Sequence, residues 1–314
     1  MKRNRIIDYI RHPDKIVIAL GSRGMLPFLT DENYLKIFFK SRLGYKLNLK
    51  EPRTFNEKLQ WLKLHDKNPK YIRLADKAEV KQIVADMIGE QYVIPTYGVW
   101  DKFDDIDFSV LPDKFVLKCT HDSGSVVVVS DKRNFDRLAA KRKISSRLRK
   151  NYFYLGREWP YKHIRPRIIA EKYLEDSSQK SALETDSLTD YKIMCFHGTA
   201  RMSFVCTERF SPDGLKVTFY DREWNVLPFE RHYKKSMNPM PKPESYEQMI
   251  RMAEKLSSGI PFARIDFYES AGRPYFGEIT LYPGTGVEEF TPRKWDFRLG
   301  QWIDLKKLRK AESV

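Results

Sequence analysis

The apolar runs of this chain come in adjacent pairs joined by short polar segments, and that order excludes most folds. Lys114-Phe-Val-Leu-Lys-Cys119 and Val126-Val-Val-Val-Ser130 flank the loop Thr120-His-Asp-Ser-Gly-Ser125. Tyr191-Lys-Ile-Met-Cys-Phe196 and Arg201-Met-Ser-Phe-Val-Cys206 surround His197-Gly198, and a last pair runs from Phe262 to Tyr268 and from Tyr275 to Thr280. Such pairs read as hairpins and therefore as antiparallel sheet. A doubly wound fold needs strands alternating regularly with helices, and that alternation is missing. The expected class is α+β. Another strand, Arg167-Ile-Ile-Ala-Glu-Lys-Tyr-Leu174, leads into Asp176-Ser-Ser-Gln-Lys180, which reads as a linker.

Helices punctuate the pairs. Asp76 with Glu79 three residues later is a capping box, followed by the stripe Val80, Ile83, Val84, Met87, Ile88 and a stop at Gly89. Ser245 and Gln248 repeat the pattern ahead of Met249, Ile250, Ala253 and Leu256, with a stop at Gly259. Leu138, Ile144 and Leu148 recur at roughly helical spacing in the basic stretch Arg133–Lys150. The first ~65 residues read as irregular or helical.

The last pair carries the sharpest chemistry. Period-2 alternation places Arg264, Asp266 and Tyr268 on one face of the first strand, and Phe276, Glu278 and Thr280 on one face of the second. A hairpin symmetric about Gly272 sets Asp266 opposite Glu278 and Arg264 opposite Thr280. Two opposed carboxylates repel unless a cation lies between them. Either they share Mg²⁺ with substrate phosphates, or one acid turns to solvent or pairs with Arg264. Lys118 ends an apolar strand just before Ser123-Gly124-Ser125; an ammonium beside loop amides suits a polyphosphate, and an edge lysine before an ordinary turn is the plainer alternative. His121 reads as a hydrogen-bonding residue and Cys119 as a small buried hydrophobe.

Several function classes drop out. No GxxxxGK[ST] is present, and no GxGxxG follows a strand. Cys119, Cys195 and Cys206 form neither a disulfide framework nor a CxxC zinc site. The longest apolar runs are too short to span a bilayer, and Met1-Lys2-Arg3 lacks the stretch of a secretory signal, so the expected location is cytoplasmic. Charge matters here: 57 Lys and Arg against 42 Asp and Glu leave +15. Such an excess suits a polyanionic partner or is simply a solvated basic surface. No RNP, zinc-finger or helix-turn-helix signature accompanies it, so no nucleic-acid partner is expected.

In their joint order these pieces resemble the ATP-grasp superfamily. Ile94-Pro-Thr-Tyr-Gly-Val-Trp100, Phe115-Val-Leu-Lys-Cys-Thr-His121, Asp190-Tyr-Lys-Ile-Met-Cys-Phe196 and Phe276-Gly-Glu-Ile-Thr-Leu-Tyr-Pro-Gly-Thr-Gly286 are similar to its TupA-like branch, over about residues 50 to 300. That branch is associated with teichuronopeptide and other surface-polysaccharide biosynthesis. The resemblance implies ATP held between two antiparallel-sheet subdomains. Residues 1–105 would form an N-terminal region and pre-ATP subdomain, 106–178 a mobile clamping lid, and 179–314 a catalytic metal-binding subdomain.

It also implies roles. Lys77 and Lys118 match lysines on the ATP phosphates, with Ser123, Gly124 and Ser125 as the phosphate loop. Glu171, Lys172, Tyr173 and Leu174 match the hinge strand whose backbone reads adenine, with Glu175 or Asp176 near the ribose. Lys192 falls near the transferred phosphate, and Arg264 matches the arginine that stabilises acyl-phosphate formation. Asp266 and Glu278 match Mg²⁺ ligands; the third is usually Asn, and Thr280 stands in its place. A hydroxyl binds Mg²⁺ less well than an amide carbonyl, which weakens the second metal. The implied reaction is ATP-dependent carboxylate–amine ligation through an acyl phosphate. Its substrate would be an acidic saccharide or amino acid, with peripheral association with a membrane-bound polysaccharide assembly. A sugar phosphotransferase of the same fold, a glycosyltransferase of the same pathway, and a non-catalytic basic module are the competing readings.

Overall fold

The structure, a computed structural model, describes residues 13–174, 189–208, 211–212, 214–306 and 308. The linker expected at 176–180 lies outside them. The front of the chain is helical: α1 (Pro13–Gly21), α2 (Asp31–Leu43), α3 (Phe55–His65), α4 (Lys70–Ala75) and α5 (Glu79–Ile88). Thr30 and Thr54 cap α2 and α3, and Thr54 with Glu57 closes a reciprocal capping box. Before α5, Asp76 Oδ1 accepts from the amides of Ala78 and Glu79 at 2.8 and 3.2 Å. Glu79 does not complete a box; Arg167 takes its carboxylate at 2.9 Å, an ion pair outcompeting a local backbone bond.

Next come β1 (Thr96–Trp100), β2 (Phe115–Cys119), β3 (Val127–Val129), α6 (Arg137–Leu148), α7 (Phe153–Gly156) and β4 (Ile168–Lys172). The four strands form an antiparallel sheet in the order β1-β4-β2-β3. It therefore takes in 96–100, ahead of the lid boundary expected at 106. On β2, Phe115, Leu117 and Cys119 are buried in one cluster with Ala140 and Ile144 of α6, so the intervening Lys118 points to the other face. Leu138, expected on the buried stripe of α6, is 71% exposed, because the helix contacts the sheet through Ala140 and Ile144.

The second sheet is built from β5 (Asp190–Phe196), β6 (Thr199–Thr207), β7 (Lys216–Tyr220), β9 (Phe262–Ser270) and β10 (Arg273–Thr280) in the order β10-β9-β5-β6-β7. The short strands β8 (Glu230–Arg231) and β11 (Phe290–Thr291) pair with each other. Helix α8 (Tyr246–Leu256) buries Met249, Ile250, Ala253 and Leu256 against this sheet, and Tyr246 Oη meets Ser203 Oγ at 2.9 Å. Its capping box does not form: Ser245 Oγ donates to Glu269 on β9, and Gln248 reaches Tyr92. Helix α9 (Lys294–Gln301) packs on α3, and Phe55, Phe196, Phe262 and Phe290 meet in the shared core. Burying each such ring is worth roughly 1.5–3 kcal/mol.

The β9–β10 hairpin turns at Ala271 (φ 52°) and Gly272 (φ 69°), a two-residue turn with both central residues left-handed. Ser270 faces Arg273 and Phe267 faces Phe276; a bulge at Gly277 then shifts the register, so that Asp266 faces Glu278 and Arg264 faces Thr280. Without the bulge Asp266 would face Gly277.

Helices α1 and α2 are bolted to the segment around α7. Arg157, at φ 54°, stacks its guanidinium 3.9 Å over the Tyr34 ring and pairs with Asp31 at 3.0 Å. It also donates to the Gly21 carbonyl at 3.3 Å, and Tyr34 Oη donates to the Leu155 carbonyl at 3.0 Å.

Candidate active site

Period-2 alternation and antiparallel register together draw one row across the second sheet: Phe219, Phe204, Lys192, Asp266, Glu278. Lys192 lies between Asp190, its contact on β5, and Asp266 Oδ2 at 2.7 Å. One residue pair further along, Arg264 leans back into the row. Its Nε donates to Asp266 Oδ1 at 2.7 Å, and its terminal nitrogen donates to Asp266 Oδ2 at 2.6 Å and Glu278 Oε1 at 2.8 Å. Thr280 Oγ1 donates to the same Glu278 oxygen at 3.2 Å.

The facing acids are therefore not bare. Arg264 is the cation that the opposed pair requires, and it bridges both carboxylates. Burial pushes the Asp266 carboxyl up, while Arg264 and Lys192 pull it back toward the ionised form. Burial would also raise Glu278, but Lys77, Arg264, Lys192 and Lys118 outweigh it and hold the carboxyl down at about 2.

From the other sheet, Lys118 Nζ meets Glu171 Oε2 at 2.6 Å, and Lys81 Nζ meets Glu171 Oε1 at 2.7 Å. Lys81 is fixed in turn by the Ile94 carbonyl at 2.6 Å. The side chain of Glu171 is thus an anchor between two lysines, which sequence reading missed because nothing local in Ile94 or Lys81 announces the contact. Burial would raise Glu171, but Lys118 and Lys81 bring it down to about 2. A carboxyl depressed from 4.5 stabilises the fold above about pH 4.5, and that stability is lost as pH falls toward 2. Glu171→Gln is expected to cost on the order of 3 kcal/mol at pH 7 and progressively less below pH 4.5. Denaturant melts of both proteins at pH 7, 4 and 2.5 read this; a difference that does not shrink with acid means Glu171 is not ionised in the fold.

Lys77 Nζ donates to the Asp122 carbonyl at 2.5 Å, at the start of the small-residue loop. Within that loop the Ser125 hydroxyl is engaged by the turn itself. The residue is 2% exposed, and its hydroxyl donates to Asp122 Oδ1 at 2.5 Å and accepts from the Cys119 amide at 2.8 Å, so it shapes the turn. Ser123 and Gly124 are exposed. His121 Nε2 meets the Lys150 carbonyl at 3.0 Å, and Cys119 is fully buried with its thiol pushed up to about 11 by burial. After Glu171, Lys172 is exposed and Tyr173 and Leu174 are half-buried; Glu175 and Asp176 lie outside the described residues.

Mg²⁺ is the ion such a donor set suits. It takes oxygen ligands, keeps several waters and is commonly bound by one or two carboxylates together with phosphates. Asp266, Glu278 and the Thr280 hydroxyl are oxygen donors on one face, and they fit that partial set. Among the described residues no three His, Cys, Asp or Glu side chains gather as a complete metal cage. Nor is any helix among them long and apolar enough to cross a membrane.

The family described as TupA-like ATPgrasp matches residues 57–304. No curated protein is similar in sequence. Among solved structures, a D-alanine–D-alanine ligase from Bacillus anthracis complexed with ATP is similar over 67% of this chain and 55% of its own, at 16% identity and a TM-score of 0.37. The ATP-grasp ligase PsnB, complexed with minimal precursor, Mg and ADP, is similar over 72% and 57%, at 10% identity and 0.39. The D-cycloserine synthetase DcsG is similar over 68% and 64%, at 17% identity and 0.37. The chain spans little more than half the length of the first of these.

Proposed function

Because the chain belongs to the TupA-like ATP-grasp family, we propose that it is an ATP-dependent carboxylate–amine ligase, joining an amino acid to a uronic acid or growing acidic polymer of a surface polysaccharide. The observation that carries this is the set of cations around the two facing acids: Arg264 bridges Asp266 and Glu278, Lys192 on β5 contacts Asp266, and Lys118 on β2 and Lys77 ahead of α5 help to hold the Glu278 carboxyl down. Four cations and two ordered carboxylates suit a triphosphate being transferred.

The reaction needs activation because a carboxylate is a poor electrophile. Its oxygen attacks the γ-phosphorus, the bond to the β-phosphate bridging oxygen breaks, and ADP leaves with that electron pair. The amine then attacks the acyl carbon, phosphate departs, and the nitrogen loses its proton. Lys118, oriented by Glu171, and Lys77 would bind the phosphates from the lid side. Lys192 and Arg264 would face the transferred group, Arg264 stabilising the charge that builds as the acyl phosphate forms. Asp266 and Glu278 would hold Mg²⁺, which supplies further neutralisation of phosphate charge when bound. For that, Arg264 must give up contacts it makes to both acids.

Incubation with ATP, Mg²⁺ and a panel of uronic acids and amino acids tests the reading. The expected product is one water lighter than its two components, with one ADP formed per amide and little ADP without amine. A phosphorylated sugar formed without amine makes the protein a phosphotransferase; no ADP in any combination sinks the reading.

A further inference from the structure

Beyond Thr280 the chain runs through Leu281 and Tyr282 into Pro283-Gly284-Thr285-Gly286, where three successive residues are left-handed: Gly284 at φ 57°, Thr285 at 56° and Gly286 at 63°. Glycine adopts that region freely, but a β-branched residue does so only when its surroundings compel it. Thr285 is compelled from three sides. Its carbonyl accepts from Lys63 Nζ at 2.7 Å and Gln60 Nε2 at 3.1 Å, both on α3. Its hydroxyl donates to Glu158 Oε1 at 3.0 Å. Its methyl lies so close to Gly156 that a Cβ there would sit 2.1 Å away.

Lys63 and Glu158 are 1% and 5% exposed and far apart in sequence; burial pushes Lys63 down to about 7 and pushes Glu158 up, against their mutual attraction. Such buried titratable groups cost more than apolar residues of the same size would, so their presence asks for a reason other than stability. The loop they hold is the direct continuation of the strand carrying Glu278 and Thr280. Beside it, Tyr152 and Tyr161 pack at 4.9 Å, and both phenols lie in the field of Glu158 and of Glu278. The pair thus ties the α3 helix, the segment after α7 and the end of the catalytic strand at one point.

We propose that Lys63 and Glu158 are positioning residues for the acceptor half of the reaction: by pinning Thr285 they preset the backbone of 283–286 against the carboxylate and amine to be joined. The inference rests on the ligase reading for its consequence, while the pinning itself is independent of it. Neither residue contacts the cations around Glu278, so nucleotide binding is expected to survive their loss.

Hydrogen exchange and kinetics on the full chain test both parts. In Lys63→Met, Glu158→Gln and Thr285→Val, amides of residues 284–288 should exchange at least tenfold faster, with β5 and β9 unchanged. Thr285→Ser, which keeps the hydroxyl, should stay within threefold of wild type. With an acceptor pair from the panel above, the three disabling variants should raise the acceptor KM at least tenfold, leave the ATP KM within threefold, and be rescued in Thr285→Ser. Unchanged exchange at 284–288, or loss of protection spread evenly over the sheet, overturns the pinning. A kcat loss with unchanged acceptor KM overturns the acceptor role. Should wild type turn over no acceptor, the ligase reading fails alone and the exchange result still decides the pinning. If Lys63→Met does not fold, the Thr285→Val and Thr285→Ser comparison decides it.

Discussion

Asp266→Asn should lose turnover and stability together. If Asp266 lies at the centre of the proposed phosphoryl-transfer site, removing its charge costs about 10²–10³-fold in rate. The same substitution leaves Arg264 and Lys192, both largely buried, with three charge-assisted bonds weakened or lost. Breaking a buried ionic network from one side costs about 3 kcal/mol. Sequence alone leaves two outcomes open: relief of repulsion if the facing acids are bare, and lost stability if one pairs with Arg264. In the structure Arg264 pairs with both, which favours the second. Glu278→Gln separates the two effects. Its side chain is 39% exposed, so solvent screens the cations that hold its carboxyl down, and stability should fall by less than about 1 kcal/mol while rate falls as steeply. ADP release and urea unfolding of both variants read this directly. If Asp266→Asn turns over ATP at wild-type rate, the active site has been placed wrongly.

The second large effect is expected at Arg264. In Arg264→Met the two carboxylates remain in direct register on β9 and β10 with their bridging cation gone. The magnesium-free variant should be less stable by about 3 kcal/mol, as for any buried pair broken from one side. A divalent cation can then replace the lost charge. Millimolar MgCl2 without nucleotide should therefore raise the melting temperature of Arg264→Met by several degrees and that of wild type much less, since a ligand of the folded state stabilises by RT ln(1+[L]/Kd). Equal insensitivity of both proteins to Mg²⁺ would show that the two acids do not make a metal site. Turnover should fall about 10³-fold, as the guanidinium is also lost from the developing phosphate charge.

Much of this was legible in the chain itself, and the limits are physical. The hairpins appear where alternation and turn residues are local signals, and Asp266 does face Glu278. Yet the symmetric fold about Gly272 reaches that pairing by a route the molecule does not take. The turn is centred between Ala271 and Gly272, and the bulge at Gly277 restores what a two-residue turn would have lost. The fate of Ser125 and Glu171 was hidden because a rotamer and a partner decide it, not a period. Glu171 finds Lys81 and Lys118 across two elements, and Ser125 finds Asp122 within its own turn. Capping patterns misled twice for one reason: Glu79 and Ser245 had better tertiary partners, Arg167 and Glu269.

The bolt at Arg157 has a consequence for how the chain is made. Tyr34 and Leu155 are 121 positions apart, and Gly21 and Arg157 are 136 apart. Synthesis at about 5–20 residues per second delivers the partners roughly 6–30 seconds after the helices that need them. Until then the Tyr34 face of α2 has no aromatic-cation lid and its hydroxyl no carbonyl. The front helices must therefore wait, exposed, for the middle of the chain to leave the ribosome, and a nascent chain stalled before residue 157 should be a preferred client of holding chaperones.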